Sequence, residues 1–381
     1  MGFVEEQLPV RYLGIPLIGT RMLVRDCNKL VEQVKARVQN WKHRALSFAG
    51  RLQLINSVLQ SLQVYWCSVL LLPKTTIKDI GKIFKGFLWS GGDLRKGSAK
   101  FAWKTMCRPK EEGGLGIRSL QTWNEALLSR QIWRLFTTKD SLWTWGWDGR
   151  FPSLQLQPLP LLQTNKDDGI YWQDLNGNQA EFTPTQVWKD IRLVSPGVSW
   201  YKVVWFKHNI PSHAFILWLA THDRLMTHER MLIWHNSTIM QCMLCKMVPD
   251  STPHLLFECQ YPREVWTIVC TMCNFQTSDI NLHHIIANQI PRLQSNHIQI
   301  DIERLALAAT VYFIWRERNS RHHNGSTIPH AKLAMEVIKT LEARLCGIPL
   351  KWSAPMEDLC KRWKIPRPSN WPPPDNINLD T

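Results

Sequence analysis

Residues 242–259 read Cys242-Met-Leu-Cys245-Lys-Met-Val-Pro-Asp-Ser-Thr-Pro-His254-Leu-Leu-Phe-Glu-Cys259. The C-x2-C-x8-H-x4-C spacing offers three sulfurs and one imidazole, which is the ligand set of a closed tetrahedral zinc site. A catalytic zinc usually keeps one position open for water, so four protein ligands indicate a structural ion. We therefore predict that Cys242, Cys245, His254 and Cys259 bind Zn²⁺. We also expect one helical turn with a frayed end to bring His254 and Cys259 to the same side.

A second cysteine pair leaves an alternative ligand set open. Cys242 and Cys245 together with Cys270 and Cys273 would form a C-x2-C-x24-C-x2-C site. The second pair lies in an apolar stretch, residues 265–272, that is typical of a buried helix. Buried cysteines usually behave as small apolar side chains. The first set is favoured, and whether Cys270 and Cys273 contribute to metal binding stays open.

The composition points to an intracellular globular protein. The first residues, Met1-Gly-Phe-Val-Glu-Glu, are acidic and contain no apolar core of a signal peptide. We therefore expect a nuclear or cytoplasmic protein that is not secreted, whose ten cysteines are reduced thiols or metal ligands. The longest uncharged run, residues 52–73, carries several Gln, Ser and Asn side chains. It is interpreted as a buried helix, so no membrane association is expected.

The positive charge is concentrated in the first third of the chain. Residues 1–118 hold 20 Lys and Arg against 8 Asp and Glu, whereas residues 119–381 hold 26 against 23. A concentrated positive field favours a polyanion, most simply a nucleic acid. The alternative is a solvated basic face that has no partner.

Helical periodicity dominates the chain. Apolar residues recur at helical spacing in residues 26–45, 47–73, 75–89 and 121–137, which predicts amphipathic helices with basic outer faces. An Asn-Gly turn between two short runs predicts a β-hairpin within residues 171–182. The predicted fold class is mainly α, with an N-terminal helical bundle followed by a mostly helical zinc-binding module and a small β-hairpin.

Five short motifs accompany this pattern in the first 117 residues. They are Tyr12-Leu-Gly-Ile-Pro-Leu17, Leu46-Ser-Phe-Ala-Gly-Arg-Leu-Gln-Leu-Ile-Asn-Ser-Val-Leu59, Phe87-Leu-Trp-Ser-Gly91, Trp103-Lys104 and Pro109-Lys-Glu-Glu-Gly-Gly-Leu-Gly-Ile117. Together they resemble the region that follows the polymerase palm in plant LINE-type (non-LTR) retrotransposon reverse transcriptases. Residues 182–266 resemble the zinc-binding domain that closes those reading frames, and this resemblance implies the same four ligands.

The resemblance implies a division of the chain into six parts. They are residues 1–25, a remnant of the palm end; 26–137, a basic helical thumb-like region; 138–182, a junction with the hairpin; 183–275, the reverse-transcriptase zinc-binding domain; 276–366, a C-terminal helical extension; and 367–381, a disordered tail.

The catalytic residues of a polymerase are not recognisable in this sequence. Palm aspartates hold two metal ions, one of them in an F/Y-A-D-D turn. The single Asp-Asp pair here, Asp167-Asp168, is followed by Gly169 and lies in the junction. We therefore expect a truncated product that has no catalytic residues and no polymerase activity alone. Catalysis by another route would need one of several histidines, namely His222, His228, His235, His283, His284, His322 and His323, but no nucleophile and base stand out beside them.

The expected function is weak, non-specific binding of RNA or DNA. The residues predicted to contact the phosphate backbone are Lys78, Lys82, Lys85, Arg95, Lys96 and Lys100. An intact retroelement polymerase is a further possible partner. The alternative is a zinc-stabilised protein-interaction module or a relic without function. The oligomeric state is not predicted.

Overall fold

The structure is a computed structural model that describes residues 10–17, 22–42, 44–90, 100–137, 170–232, 240–275, 279–294, 298–349, 352–369 and 371. The chain divides into two compact units, Met1–Gly197 and Val198–Thr381. We call them the N-terminal and C-terminal units. Both are built mainly from α-helices, which confirms the predicted fold class. The finer six-part division stays a prediction, and residues 372–381 of its tail lie outside the described residues.

The N-terminal unit contains two antiparallel hairpins and seven described helices. The hairpins join β1 (Val10–Tyr12) to β2 (Ile15–Leu17) and β3 (Trp172–Gln173) to β4 (Gln179–Ala180). The helices are α1 (Asn28–Lys42), α2 (Phe48–Leu54), α3 (Ser61–Val69), α4 (Lys74–Ser90), α5 (Trp103–Met106), α6 (Leu120–Thr137) and α7 (Pro184–Ile191).

The core of the N-terminal unit forms where the apolar stripe of α1 packs against α4. Leu30 and Val34 of α1 are fully buried. On α4, Ile80, Phe84 and Phe87 recur every three or four residues and are also buried, as the helical period requires. This spacing leaves the lysines of α4 on its outer surface.

The helix expected over residues 47–73 contains one irregular turn. Ser47 caps α2 by accepting a hydrogen bond of 3.2 Å from the Gly50 amide, but a wider π-type turn over Ile55–Leu59 separates α2 from α3. The Ser57 hydroxyl donates back to the Gln53 carbonyl at 2.8 Å, a bond that competes with regular helix geometry. The helix predicted to begin after Ser47 is therefore present with one widened turn, but it ends at Val69, four residues before Pro73.

A buried asparagine fastens the end of α3 to α6. Asn124 is fully buried, and its Oδ1 accepts a 2.8 Å hydrogen bond from the Leu72 amide. Its Nδ2 donates to the carbonyls of Cys67 and Leu70, both at 2.8 Å. One side chain thus satisfies three backbone groups that a helix end would otherwise leave without partners.

A tight turn and a buried carboxylate hold the segment that follows α7. A Cβ at Gly114 would lie 2.0 Å from the Arg108 carbonyl oxygen, so only glycine fits there. Beside it, buried Glu112 forms an ion pair with Arg192 at 2.6 Å and accepts a 3.0 Å hydrogen bond from the Ser195 amide. The Pro109–Ile117 motif therefore anchors the last residues of the N-terminal unit.

The C-terminal unit is a helical assembly around one long, largely buried helix. Its helices are α8 (Tyr201–Val204), α9 (Pro211–Thr221), α10 (His228–Leu232), α11 (Gln260–Met272), α12 (Leu282–Gln289), α13 (Ile298–Asn324), α14 (His330–Cys346) and α15 (Ala354–Arg362). Helix α13 packs against α9, α11 and α14. Among the described residues, no helix is both long and apolar enough to cross a membrane.

We predict that Asn124→Ala lowers the free energy of unfolding by about 3 kcal/mol, because three buried backbone groups lose their partner. Urea denaturation followed by circular dichroism measures this loss. Glu125→Ala, a change at the exposed neighbouring position on α6, is the control and should stay within about 0.5 kcal/mol of the wild type. Equal midpoints for both variants would contradict the role assigned to Asn124.

Candidate metal centre

The first arm of the centre is a tight loop that carries Cys242 and Cys245. The Cys242 amide donates to the Val248 carbonyl at 2.7 Å, and the Lys246 amide donates to the Cys242 carbonyl at 2.8 Å. The Leu244 amide points at the Cys242 sulfur at 3.4 Å. Lys246 closes the loop with a positive φ of 59°, so backbone hydrogen bonds fix both cysteines.

The second arm runs from His254 to Cys259, and it is not the helical turn that the sequence predicted. Leu256 is extended, and Phe257 lies in the left-handed region at φ 79°. The Cys259 amide still donates to the His254 carbonyl at 2.7 Å. The chain leaves helical geometry here because the fully buried Phe257 ring packs inward, with its centroid 5.2 Å from that of Trp266. Cys259 then starts helix α11.

The two arms bring the four predicted ligands together. One ligand atom from each of Cys242, Cys245, His254 and Cys259 lies within 4.8 Å of the other three. The closest polar contact with the imidazole joins the Cys245 sulfur to His254 Nε2 at 3.3 Å. A tetrahedron with zinc–sulfur bonds of about 2.3 Å has edges of roughly 3.8 Å, so this donor set fits a zinc ion. Among the described residues, no other group of three or more His, Cys, Asp or Glu side chains could hold a metal ion in this way.

Two of the cysteines interact strongly with each other. A hydrogen bond from the Cys259 thiol lowers the pKa of Cys242 to about 5, against the opposing effect of burial. The same hydrogen bond, together with burial, raises the pKa of Cys259. The sulfurs of Cys242 and Cys259 thus lie close enough to form a hydrogen bond with each other. Thiolates are the form in which cysteine binds zinc.

The alternative ligands lie elsewhere. Cys270 and Cys273 are buried at the end of α11 and are not part of the four-atom group. Burial raises the pKa of both thiols, that of Cys273 to about 12. Both residues thus have the character of apolar core side chains.

The sequence pattern missed the residues that hold the centre in place. Asp250, which lies in the turn between the arms, forms a buried ion pair with Arg318 of α13. Arg321, one turn further along α13, donates to the Leu244 carbonyl at 3.2 Å. The sequence offered little signal for them, because both arginines lie in the charged stretch Arg316-Glu-Arg-Asn-Ser-Arg321 near the end of α13.

The residues predicted to contact nucleic acid are only partly brought together. Lys78, Lys82 and Lys85 of α4 line one groove of about 340 Å³ with Arg118 and Trp103. Within it, Lys82 also pairs with Asp79 at 2.8 Å.

Of the three other predicted nucleic-acid contacts, Lys100 alone falls within the described residues. The ammonium of Lys100 lies 5.6 Å from the centre of the Phe48 ring. Arg95 and Lys96 lie outside the described residues.

Two of the histidines considered for catalysis, His222 and His228, contact neighbouring side chains or backbone groups. His222 packs edge-on against Trp200 and Trp218, with ring centroids 5.3 Å apart in both pairs. The Nδ1 atom of His228 accepts a 3.1 Å hydrogen bond from the Met240 amide. His235 lies outside the described residues.

Comparisons with known proteins agree with this geometry. The family described as zinc-binding in reverse transcriptase matches residues 182–266. A putative ribonuclease H protein of Arabidopsis thaliana is 37% identical over 130 residues, which cover 34% of this chain and 21% of that protein. An uncharacterized mitochondrial protein of the same plant is 36% identical over 76 residues, which cover 20% of this chain and 49% of that protein.

The chain thus spans about a fifth of the length of the ribonuclease H protein and about half of the length of the mitochondrial protein. The family match contains all four clustered residues and ends seven residues after Cys259. The resemblance predicted from the sequence is confirmed, because residues 182–266 match the family described as zinc-binding in reverse transcriptase.

Proposed function

We propose that this chain is a retrotransposon-derived nucleic-acid-binding protein in which zinc is structural and which does not polymerise on its own. Cys242, Cys245, His254 and Cys259 would hold the ion. Because four protein ligands fill a tetrahedral site, the ion would cross-link the two arms and leave no position for a reacting water.

The groove on α4 carries the proposal of nucleic-acid binding. Its rim holds four cationic side chains, those of Lys78, Lys82, Lys85 and Arg118. Its floor is apolar and includes the half-buried ring of Trp103. Cations release counterions from a phosphate backbone, and an aromatic face supports stacking of an unpaired base. Such contacts position a strand without reading its sequence, so the binding is expected to be non-specific.

We propose that the chain does not polymerise alone because its sequence contains no match to the catalytic aspartate motif of a polymerase. Polymerisation needs aspartates that hold two metal ions, and the Asp167-Asp168-Gly169 sequence does not match the F/Y-A-D-D pattern. The four clustered ligands cannot substitute for them, because sulfur-rich sites select zinc over magnesium.

We predict that the purified chain contains one zinc ion and that chelation unfolds the C-terminal unit, since metal binding supplies much of the stability of such modules. Elemental analysis and circular dichroism measure the two effects. Cys259→Ser should lower the zinc content, whereas Cys346→Ser, at an exposed cysteine outside the cluster, should not. Zinc content unchanged in Cys259→Ser would contradict the assignment.

We predict that replacing Lys78, Lys82 and Lys85 together by alanine weakens binding to RNA and DNA of any sequence. Each lost phosphate contact should reduce the slope of log affinity against log salt by about one. Filter binding across a salt series measures this. The control replaces Lys332, Lys339 and Lys361, three exposed lysines of the C-terminal unit, and removes the same charge. An affinity that is independent of salt, or an equal loss in the control, would refute the proposed groove.

We predict that the purified chain extends no primer on an RNA or DNA template when Mg²⁺ or Mn²⁺ is supplied. A primer-extension gel, with an active reverse transcriptase as the positive control, measures this. Templated products that track with the purified protein would overturn the proposal that the chain does not polymerise alone.

A further inference from the structure

The turn between the two metal arms is fastened to a helix that lies beyond the family match. The carboxylate of Asp250 pairs with the guanidinium of Arg318, and only 1% and 3% of these side chains are exposed. The same carboxylate accepts a 2.8 Å hydrogen bond from the His228 amide. Arg318 lies in α13, which begins 32 residues after the end of the match at residue 266.

A second arginine of α13 holds the first arm. Arg321 donates to the carbonyl of Leu244, which lies between Cys242 and Cys245, at 3.2 Å. The Arg321 guanidinium is itself fixed by the carboxylate of Glu317 at 2.7 Å and by the ring of Tyr261, whose centre lies 4.5 Å away.

These contacts are not accounted for by stability alone. A buried ion pair is often no more stabilising than well-packed apolar side chains of the same volume, whereas removing one partner costs several kcal/mol. Unlike apolar side chains, the two arginines form directional hydrogen bonds. The Arg318 guanidinium donates to both oxygens of the Asp250 carboxylate, and that of Arg321 donates to the Leu244 carbonyl. Groups that hydrogen-bond around metal ligands orient those ligands.

We propose that Arg318 and Arg321 are positioning residues for the metal centre, so that the zinc-binding unit extends into α13, well beyond residue 266. This inference rests on the zinc site proposed above. Arg321 sets the path of the loop between the first two cysteines, and Arg318 sets the turn that leads to His254.

The test measures cobalt(II) binding by the full-length chain, because tetrahedral cobalt thiolates absorb visible light and report both affinity and geometry. Arg318→Met and Arg321→Met should each raise the dissociation constant for cobalt by about tenfold or more. The matched control is Arg292→Met, which breaks an ion pair to the buried Glu303 of the same unit without touching the metal loop. It should lower thermal stability and leave cobalt affinity unchanged.

A double variant separates positioning from stability. Asp250→Asn combined with Arg318→Met removes both charges and keeps an oxygen that can accept the His228 amide, so thermal stability should recover relative to Arg318→Met alone. Cobalt affinity should stay low if the ion pair orients the loop. Recovery of wild-type affinity in this double variant would overturn the proposal.

Milder changes cover the case in which an arginine variant does not fold. Arg318→Lys and Arg321→Lys keep the charge but lose the planar fork, and they should weaken cobalt binding in the same direction. Wild-type affinity in both lysine variants would contradict the proposal. A wild-type chain that binds no cobalt would instead refute the zinc site itself, so the two failures are distinguishable.

Discussion

The carboxylate of Asp250 joins three parts of the C-terminal unit that are distant in sequence. It pairs with Arg318, which is 68 positions away, and it accepts the His228 amide at the start of α10. The backbone of Asp250 adds a 3.1 Å bond to the Met240 carbonyl and a 3.2 Å bond from the Glu229 amide. A buried charge must be paired, so the metal loop cannot take its place without α10 and α13. The ligand cluster is therefore a product of tertiary structure as much as of local spacing.

The identity of the clustered ligands could be predicted because their information is local. Two cysteines three positions apart and a histidine five positions before a third cysteine are enough to identify the four candidate ligands, although not to place them in space. The path between His254 and Cys259 could not be predicted, because it depends on where the Phe257 ring finds room in the core. The lysines of α4 share one face for the same local reason, since a helical period fixes their direction.

The long-range partners of buried polar side chains could not be predicted from the sequence. Nothing near Asn124 indicates that it will satisfy three backbone groups more than 50 positions away. Nothing near Glu112 indicates its pairing with Arg192. Arg318 and Arg321 belong to this class. A helical pattern gives their positions on α13 but not the oxygens that they will meet. The mainly α fold was predictable, and the contacts that place its helices were not.

The backbone and the side chain of Phe257 make opposing contributions to stability. Its backbone lies in a region that favours glycine, at a cost of roughly 1–2 kcal/mol for an L-residue. Its side chain is completely buried, and removing such a ring costs about 3–5 kcal/mol. Packing outweighs backbone strain, so homologous chains that keep this core should retain a large apolar residue here even though glycine would suit the dihedral angles. Burial of the Phe257 ring thus holds the second arm in a locally unfavourable backbone conformation. Substitutions that weaken the packing around this ring should change the geometry of the arm.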